Sequence, residues 1–349
     1  MQTEALQPQL LPPEWAPQSA VQLTWPHANS DWSWILDHAE ANFAHIALEV
    51  SRRQNLIIAC YDPDKLAEVR ARLQAAGANL ARIRLYAVHS DDTWARDHGP
   101  ITVLRDGKPV LLNFRFNGWG GKYEYGLDDQ ISRRLHEQAA YGNTPIEDID
   151  LVLEGGGIEV NGEGCLLTTE SCLLAPTRNP QFNREQIEGR LKTLLGVHTI
   201  HWLKHGQLEG DDTDGHIDTL ARFASPDTIV FQDCNDVDDE HFDDIEQMEQ
   251  ELVALRRPNG QPYRLLALPW PQPQYDGGDR LPATYANFLI INHAVLVPTY
   301  DDPADALALD ILREAFPGRE IVGVDCRALI RQYGSLHCVA MQLPAGVVT

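Results

Sequence analysis

The sequence predicts an α/β fold, folded as one closed domain over residues 1–349 with about five internal units. Three observations point there. Strand-like and helical patterns alternate along the whole chain. One arrangement recurs five times: a short apolar run, a turn rich in glycine and acids, a second apolar run, and in several cases a polar helical segment. No Pro/Gly/Ser linker or low-complexity segment divides the chain, so the two domains that a prior of about 150 residues each would suggest give way to repetition.

The recurring stretches are "RIRLYAVHSDDTWARDHGPITVL" (82–104), "IDLVLEGGGIEVNGEGCLLTT" (149–169), "TIHWLKHGQLEGDDTDGHIDTLARF" (199–223), "YRLLALPWPQPQYDGGDRLPATYANFLIINHAVLVP" (263–298) and "REIVGVDCRALIRQYGSLHCVAMQL" (319–343). Their apolar runs are short and bounded by turn residues, which is the signature of strands. Apolar residues at helical spacing predict helices over Trp32 to Arg53, Pro63 to Ala76, Asp128 to Tyr141, Asn183 to Leu195, Asp238 to Arg257 and Pro303 to Phe316.

Charge narrows the function. Lys and Arg total 28 against 51 Asp and Glu, a formal net charge of -23, with the acids spread along the chain. That field repels phosphate backbones and anionic lipid and draws small cations into a cleft, so neither nucleic acid nor membrane is an expected partner. The first Arg or Lys is Arg52 and no run of 18 apolar residues occurs, so a soluble cytoplasmic protein is expected. The six cysteines form no CxxC pair and read as free, mostly buried thiols.

The chemistry-bearing residues sit in the turns. "DDTWARDHGP" places Asp91, Asp92, Trp94, Arg96 and Asp97 between two strands, and "LEGGGIEV" ends a strand at Glu154 before three glycines. "EGDDTDGHIDTLARF" carries Asp211, Asp212, Asp214, His216 and Asp218. Read as a strand, residues 215–223 would put His216 and Asp218 on one face, with Cα atoms roughly 6.6 Å apart. The same alternation turns His337 away from Cys338, which makes His216 the better base for that thiol. Each residue also has an ordinary structural explanation: a buried thiol, a hydrogen-bonded histidine, a capped turn, a tight glycine bend. GxSxG, GxxxxGK[ST] and GxGxxG motifs are absent, and His198, His201 and His205 fall partly on strand and partly on loop, a poor metal spacing.

Taken together, "LPPEWAPQSAVQLTWPH", "TWARDHGP", "FNGWGGKY", "EGGGIEVNGEG", "GHIDTLARF", "ATYANFLIIN" and "GSLHC" span Leu11 to Pro344 in this order. The set resembles the agmatine deiminase and bacterial-type peptidylarginine deiminase family, guanidino-modifying enzymes of the pentein class. That resemblance implies a five-bladed α/β propeller of ββαβ units around a central pocket. It implies Cys338 as nucleophile, His216 as general acid/base, and Asp97, Glu154 and Asp218 as catalytic acids. It further implies Asp212 as an acidic substrate contact, with Trp94 and Asn287 lining the pocket.

The physics suits this set. A guanidinium is planar, permanently charged and rich in N–H donors, so carboxylates hold it in fork-to-fork pairs; Asp97 and Asp218 are the expected clamp. Glu154 is expected to orient and charge-balance His216. The reaction the resemblance implies is hydrolysis of agmatine to N-carbamoylputrescine and ammonia, a step in polyamine metabolism, with no metal or organic cofactor. Peptidyl or free arginine is the alternative substrate. Lys122 in "FNGWGGKYEYGLDD" and the short "YGSLHC" depart from the agmatine deiminase pattern. A hydrolase with a metal on His198, His201 and His205, or a non-catalytic polyamine-binding protein, are alternatives of other classes. A homodimer is suggested by the resemblance alone.

Overall fold

The computed structural model describes residues 9–348, and among these the strands form five main sheets and one small hairpin. Each main sheet opens with an antiparallel pair and ends with a strand added in parallel after a helical crossover. A two-residue loop suffices for an antiparallel pair, whereas a parallel one needs a long connection, and the helices supply it. The second sheet shows the rule. Ile101–Arg105 and Lys108–Arg115 are joined by Asp106 and Gly107, both at positive φ (51° and 75°) as a tight hairpin turn requires. Helix Ile131–Glu137 then leads to the parallel strand Ile146–Val152.

The third, fourth and fifth sheets repeat the pattern through helices Arg184–Leu195, Phe242–Ala254 and Asp305–Ala315. Helix Arg184–Leu195 begins at an Asn183–Gln186 capping box and stops at Gly196, whose φ of 70° ends the helix. Its Ile187, Leu191 and Leu195 are buried, each contributing about 1.5–3 kcal/mol of apolar burial. The remaining sheet joins the chain's two ends. Ala340–Pro344 pairs antiparallel with Gln18–Thr24, which is followed in parallel by Asn55–Cys60 and Ile83–Ala87. This is the five-bladed ββαβ propeller.

Three local readings change. The recurring stretches are not blades. Each contains the last strand of one sheet and the first of the next, so the repeat read in the sequence is out of phase with the repeat of the fold. Residues 215–223 are not one strand: Ile217–Thr219 is a single 3-10 turn and the strand starts at Ala221, so alternation does not govern His216 and Asp218. His337 and Cys338 likewise lie in the turn before Ala340–Pro344. Among the described residues all six cysteines are free and buried, and no helix is long and apolar enough to cross a membrane.

Candidate active site

Every crossing from one sheet to the next contributes to a single site. Residues 88–100 bring Trp94 and Asp97, residues 153–158 bring Glu154 and Gly156, and residues 204–220 bring Asp212, His216 and Asp218. Residues 269–288 bring Asn287, and residues 326–339 bring Cys338. Crossings at one end of the blades must converge, and that explains why chemistry so scattered in sequence meets in space.

Cys338 Sγ lies 3.4 Å from Asn287 Oδ1 and 4.0 Å from Asp218 Oδ2. Asp218 Oδ2 accepts the His337 Nδ1–H at 2.7 Å, while its Oδ1 is buried without a partner among the described residues. His337 and Cys338 thus both reach Asp218, against the opposite faces expected of a strand, because the turn replaces alternation. Asp97 Oδ2 accepts from Trp119 Nε1 at 3.0 Å, and its Oδ1 accepts from the Gly156 N–H at 3.2 Å and stands 3.7 Å from His216 Nδ1. Trp119 reaches Asp97 from a backbone at φ 54°, an unusual conformation for a bulky residue and a strain carried at the site. Neither ring nitrogen of His216 has a hydrogen-bond partner among the described residues.

Gly156 is the geometric centre of these groups. A Cβ there would stand 2.6 Å from His216 Nδ1, 2.9 Å from Asp97 Oδ1 and 3.1 Å from Asp218 Oδ2. Only glycine leaves the three polar groups their places.

Glu154 is buried and does not hydrogen-bond His216. Both its oxygens receive Arg178 Nε, at 3.0 and 3.1 Å, and Arg178 continues to Asp214 at 2.6 Å. Glu154 therefore reaches His216 through its field rather than by the orienting contact expected from sequence. Two groups have metal-like proximity, Glu154 with Cys172 and His216, and Glu14 with Glu159 and His337. An arginine side chain bonds an acid in each, Arg178 on Glu154 and Arg222 on both Glu14 and Glu159, so a divalent cation would face a fixed positive charge. His201 bonds Tyr263 and His205 bonds Glu251, and with His198 they form no such group among the described residues.

A cavity opens above Cys338 and Asp97. Trp94, Trp119, Tyr123 and Tyr333 form its aromatic walls, and Asp31, Asp92, Asp211 and Asp212 join Asp97 as acids. Among the described residues no Lys or Arg lines it. Lys122 is pinned outside, donating to the Asp212 carbonyl at 2.5 Å and to Asp214 at 2.7 Å, while Tyr123 donates to the Asp212 carboxylate at 2.7 Å. Gly334, in the short "YGSLHC" approach, lies against the Trp94 ring, where a side chain would clash.

The electrostatics follow from burial and crowding. Burial, with Asp218 and Glu154 nearby, pushes Asp97 up to about 7 although His216 opposes it. Burial alone would also raise Asp218, but the His337 hydrogen bond and the cationic groups around it hold it below the usual range. Burial disfavours an imidazolium at His216, yet Asp97, Cys172 and Glu154 lift it well above its ordinary value. Burial, then Asp218 and Asp97, raise the Cys338 thiol well above 9.0. The free site thus holds a neutral thiol, a protonated histidine and an ionised Asp218 at neutral pH.

Residue reading missed several participants. Trp119 stood inside a recognised motif but carries no titratable group. Arg178, Arg222, Glu14 and Cys172 lie far in sequence from the groups they serve, and His337 was set aside by strand alternation.

Residues 10–344 match the family described as Porphyromonas-type peptidyl-arginine deiminase. The chain is 34% identical to the agmatine deiminase of Stutzerimonas stutzeri (strain A1501) over 362 residues, covering 97% of this chain and 96% of that protein. A Porphyromonas gingivalis structure provisionally assigned as an arginine deiminase is 50% identical, with a TM-score of 0.90 and coverage of 98% of this chain and 100% of that one. A C. jejuni agmatine deiminase with substrate bound is 36% identical, with a TM-score of 0.89 and coverage of 96% of both chains.

Proposed function

This chain belongs to the Porphyromonas-type peptidyl-arginine deiminase family and is a C–N hydrolase, and from that premise we propose that it deiminates agmatine to N-carbamoylputrescine and ammonia. The observation that carries the choice of substrate is the cavity lining: five aspartates and no Lys or Arg. A guanidinium with a second cationic group on its tail finds carboxylates for both charges, whereas the α-carboxylate of free arginine finds no Lys or Arg in that lining.

In this mechanism Asp97 and Asp218 grip the guanidinium nitrogens and turn the central carbon toward Cys338. The substrate's charge compensates the site's acids, and Cys338 loses its proton to solvent. Thiolate attack gives a tetrahedral adduct, and protonated His216 donates to one amino group, which leaves as ammonia. An amidino-cysteine remains. Neutral His216 then takes a proton from water as the oxygen attacks the same carbon; the second adduct expels the thiolate and loses a proton to yield the ureido product. Glu154, held by Arg178, favours the imidazolium through its negative field.

Ammonia release measured in parallel with agmatine, free arginine and a blocked arginine peptide tests the substrate. Agmatine is expected to give the largest kcat/KM, and a larger value for free arginine or for the peptide would overturn the choice. The 50% identity to the P. gingivalis protein is what favours arginine as the second reading.

The raised Cys338 pKa gives a pH prediction. Thiolate is the alkylating species, so iodoacetamide should modify Cys338 slowly at neutral pH, with a rate still climbing at pH 9. Guanidinium ion, too short to block access, should accelerate it by partly neutralising Asp97 and Asp218. Rapid alkylation of the free enzyme at about pH 6 would contradict a suppressed thiolate.

A further inference from the structure

Behind the candidate site lies a layer of charge, buried except for the partly exposed Glu14, that the proposed reaction does not use: Glu14, Arg96, Glu159, Arg222 and His337. Among the described residues His337 is the one member whose side chain bonds a side chain of the site. Its Nδ1 is 2.7 Å from Asp218 Oδ2, and both side chains are fully buried.

We infer that His337 is a positioning residue that fixes the Asp218 carboxylate for a guanidino substrate by holding Oδ2 and leaving the buried Oδ1 unpaired. The inference rests on the reading of Asp218 as part of the guanidinium clamp. A hydrogen bond to one oxygen fixes the plane and direction of the carboxylate, so the remaining lone pairs of Oδ1 are aimed rather than searching rotamers. Oδ1 has no protein partner among the described residues, and the carboxylate stands beside the nucleophile, with Oδ2 4.0 Å from Cys338 Sγ.

Histidine suits this place better than a permanent cation. An arginine or lysine on Oδ2 would steady the carboxylate but cancel the charge that attracts the substrate. Neutral imidazole gives one donor and no charge. Its surroundings favour the neutral form: burial first, then Arg222, which donates to Nε2 at 2.9 Å, and Arg96, which adds a second positive field. Glu14, 2.8 Å from Nε2, pulls the other way, but its oxygens already receive Arg96, Arg222 and Gln342, and the burial and guanidinium groups prevail. With Nε2 accepting, Nδ1 must carry the hydrogen, which is the tautomer Asp218 requires.

The test compares two amides. Asparagine puts its amide nitrogen where Nδ1 stands, and glutamine carries it one carbon farther, toward Arg222 and Glu14. His337→Asn should keep KM for agmatine within about 5-fold of the wild type, whereas His337→Gln should raise it roughly 10- to 100-fold with kcat little changed. In an Asp218→Asn background, His337→Gln should add little, because the two act as one unit. Equal KM for the glutamine variant and the wild type, or effects that add fully, would overturn the inference. If the glutamine variant does not fold, nitrogen-15 NMR of the wild-type histidines decides: a neutral Nδ1–H tautomer at His337 supports it, and an imidazolium or Nε2–H tautomer overturns it. Failure of the functional reading is seen separately, as a wild type that releases no ammonia from any of the three substrates.

Discussion

Cys338→Ser is expected to abolish ammonia release, a loss on the order of 10⁴-fold or more, while leaving the fold and substrate binding intact. The loss is expected to be large because the proposed reaction has no other nucleophile. Among the described residues Sγ is the one sulfur lining the cavity, with Asp218 at 4.0 Å and Asn287 at 3.4 Å. A serine hydroxyl is a far weaker nucleophile at neutral pH, and His216, already protonated, cannot serve as its base. Binding should survive because the resting thiol is neutral, so serine changes neither the charge nor, appreciably, the volume of the site. Steady-state ammonia release, with calorimetric binding of agmatine and far-UV circular dichroism, checks all three parts. Residual turnover above about a hundredth of the wild type would remove Cys338 from the reaction.

Gly156→Ala is expected to cost about 10²-fold or more in kcat/KM. The backbone there lies outside the left-handed region, so alanine is conformationally tolerable and ordinarily would stiffen the unfolded chain to slight advantage. The effect comes from the added methyl alone. It would press on His216, Asp97 and Asp218 at once, at 2.6, 2.9 and 3.1 Å, and these groups must give way or rotate. Gly189 is the matched control. It lies in helix Arg184–Leu195 with nothing within 4 Å of an added Cβ, so Gly189→Ala should leave kcat/KM unchanged and raise stability by roughly 1 kcal/mol. Thermal denaturation and kinetics on the two variants separate local crowding from a general glycine effect.

The fold was legible in the sequence to the extent that periodicity and turn residues write it. Asn183 and Gly196 bound a helix where the apolar spacing placed one, and the alternation of strands and helices gave the class. Phase was not legible: a strand ending one sheet and a strand opening the next look alike, so the crossings were read as units. That same error put the chemistry into relief, since the crossings are where the blades deliver their side chains. Long-range pairs such as Arg178 with Glu154 and Arg222 with Glu159 left no local trace, because a buried arginine has the same letter as a surface one. His337 was misjudged for a physical reason: alternation holds only for extended backbone, and the chain turns there.

The central claim is that a sulfur of this chain bonds to the substrate's guanidino carbon. Rapid acid quench during turnover of agmatine, followed by mass analysis of the peptides, tests it most directly. The account predicts a transient adduct on the Cys338 peptide with the mass of agmatine less ammonia, appearing before product and decaying with it. Product formed at full rate with Cys338 unmodified throughout, or an adduct on another residue, would contradict it.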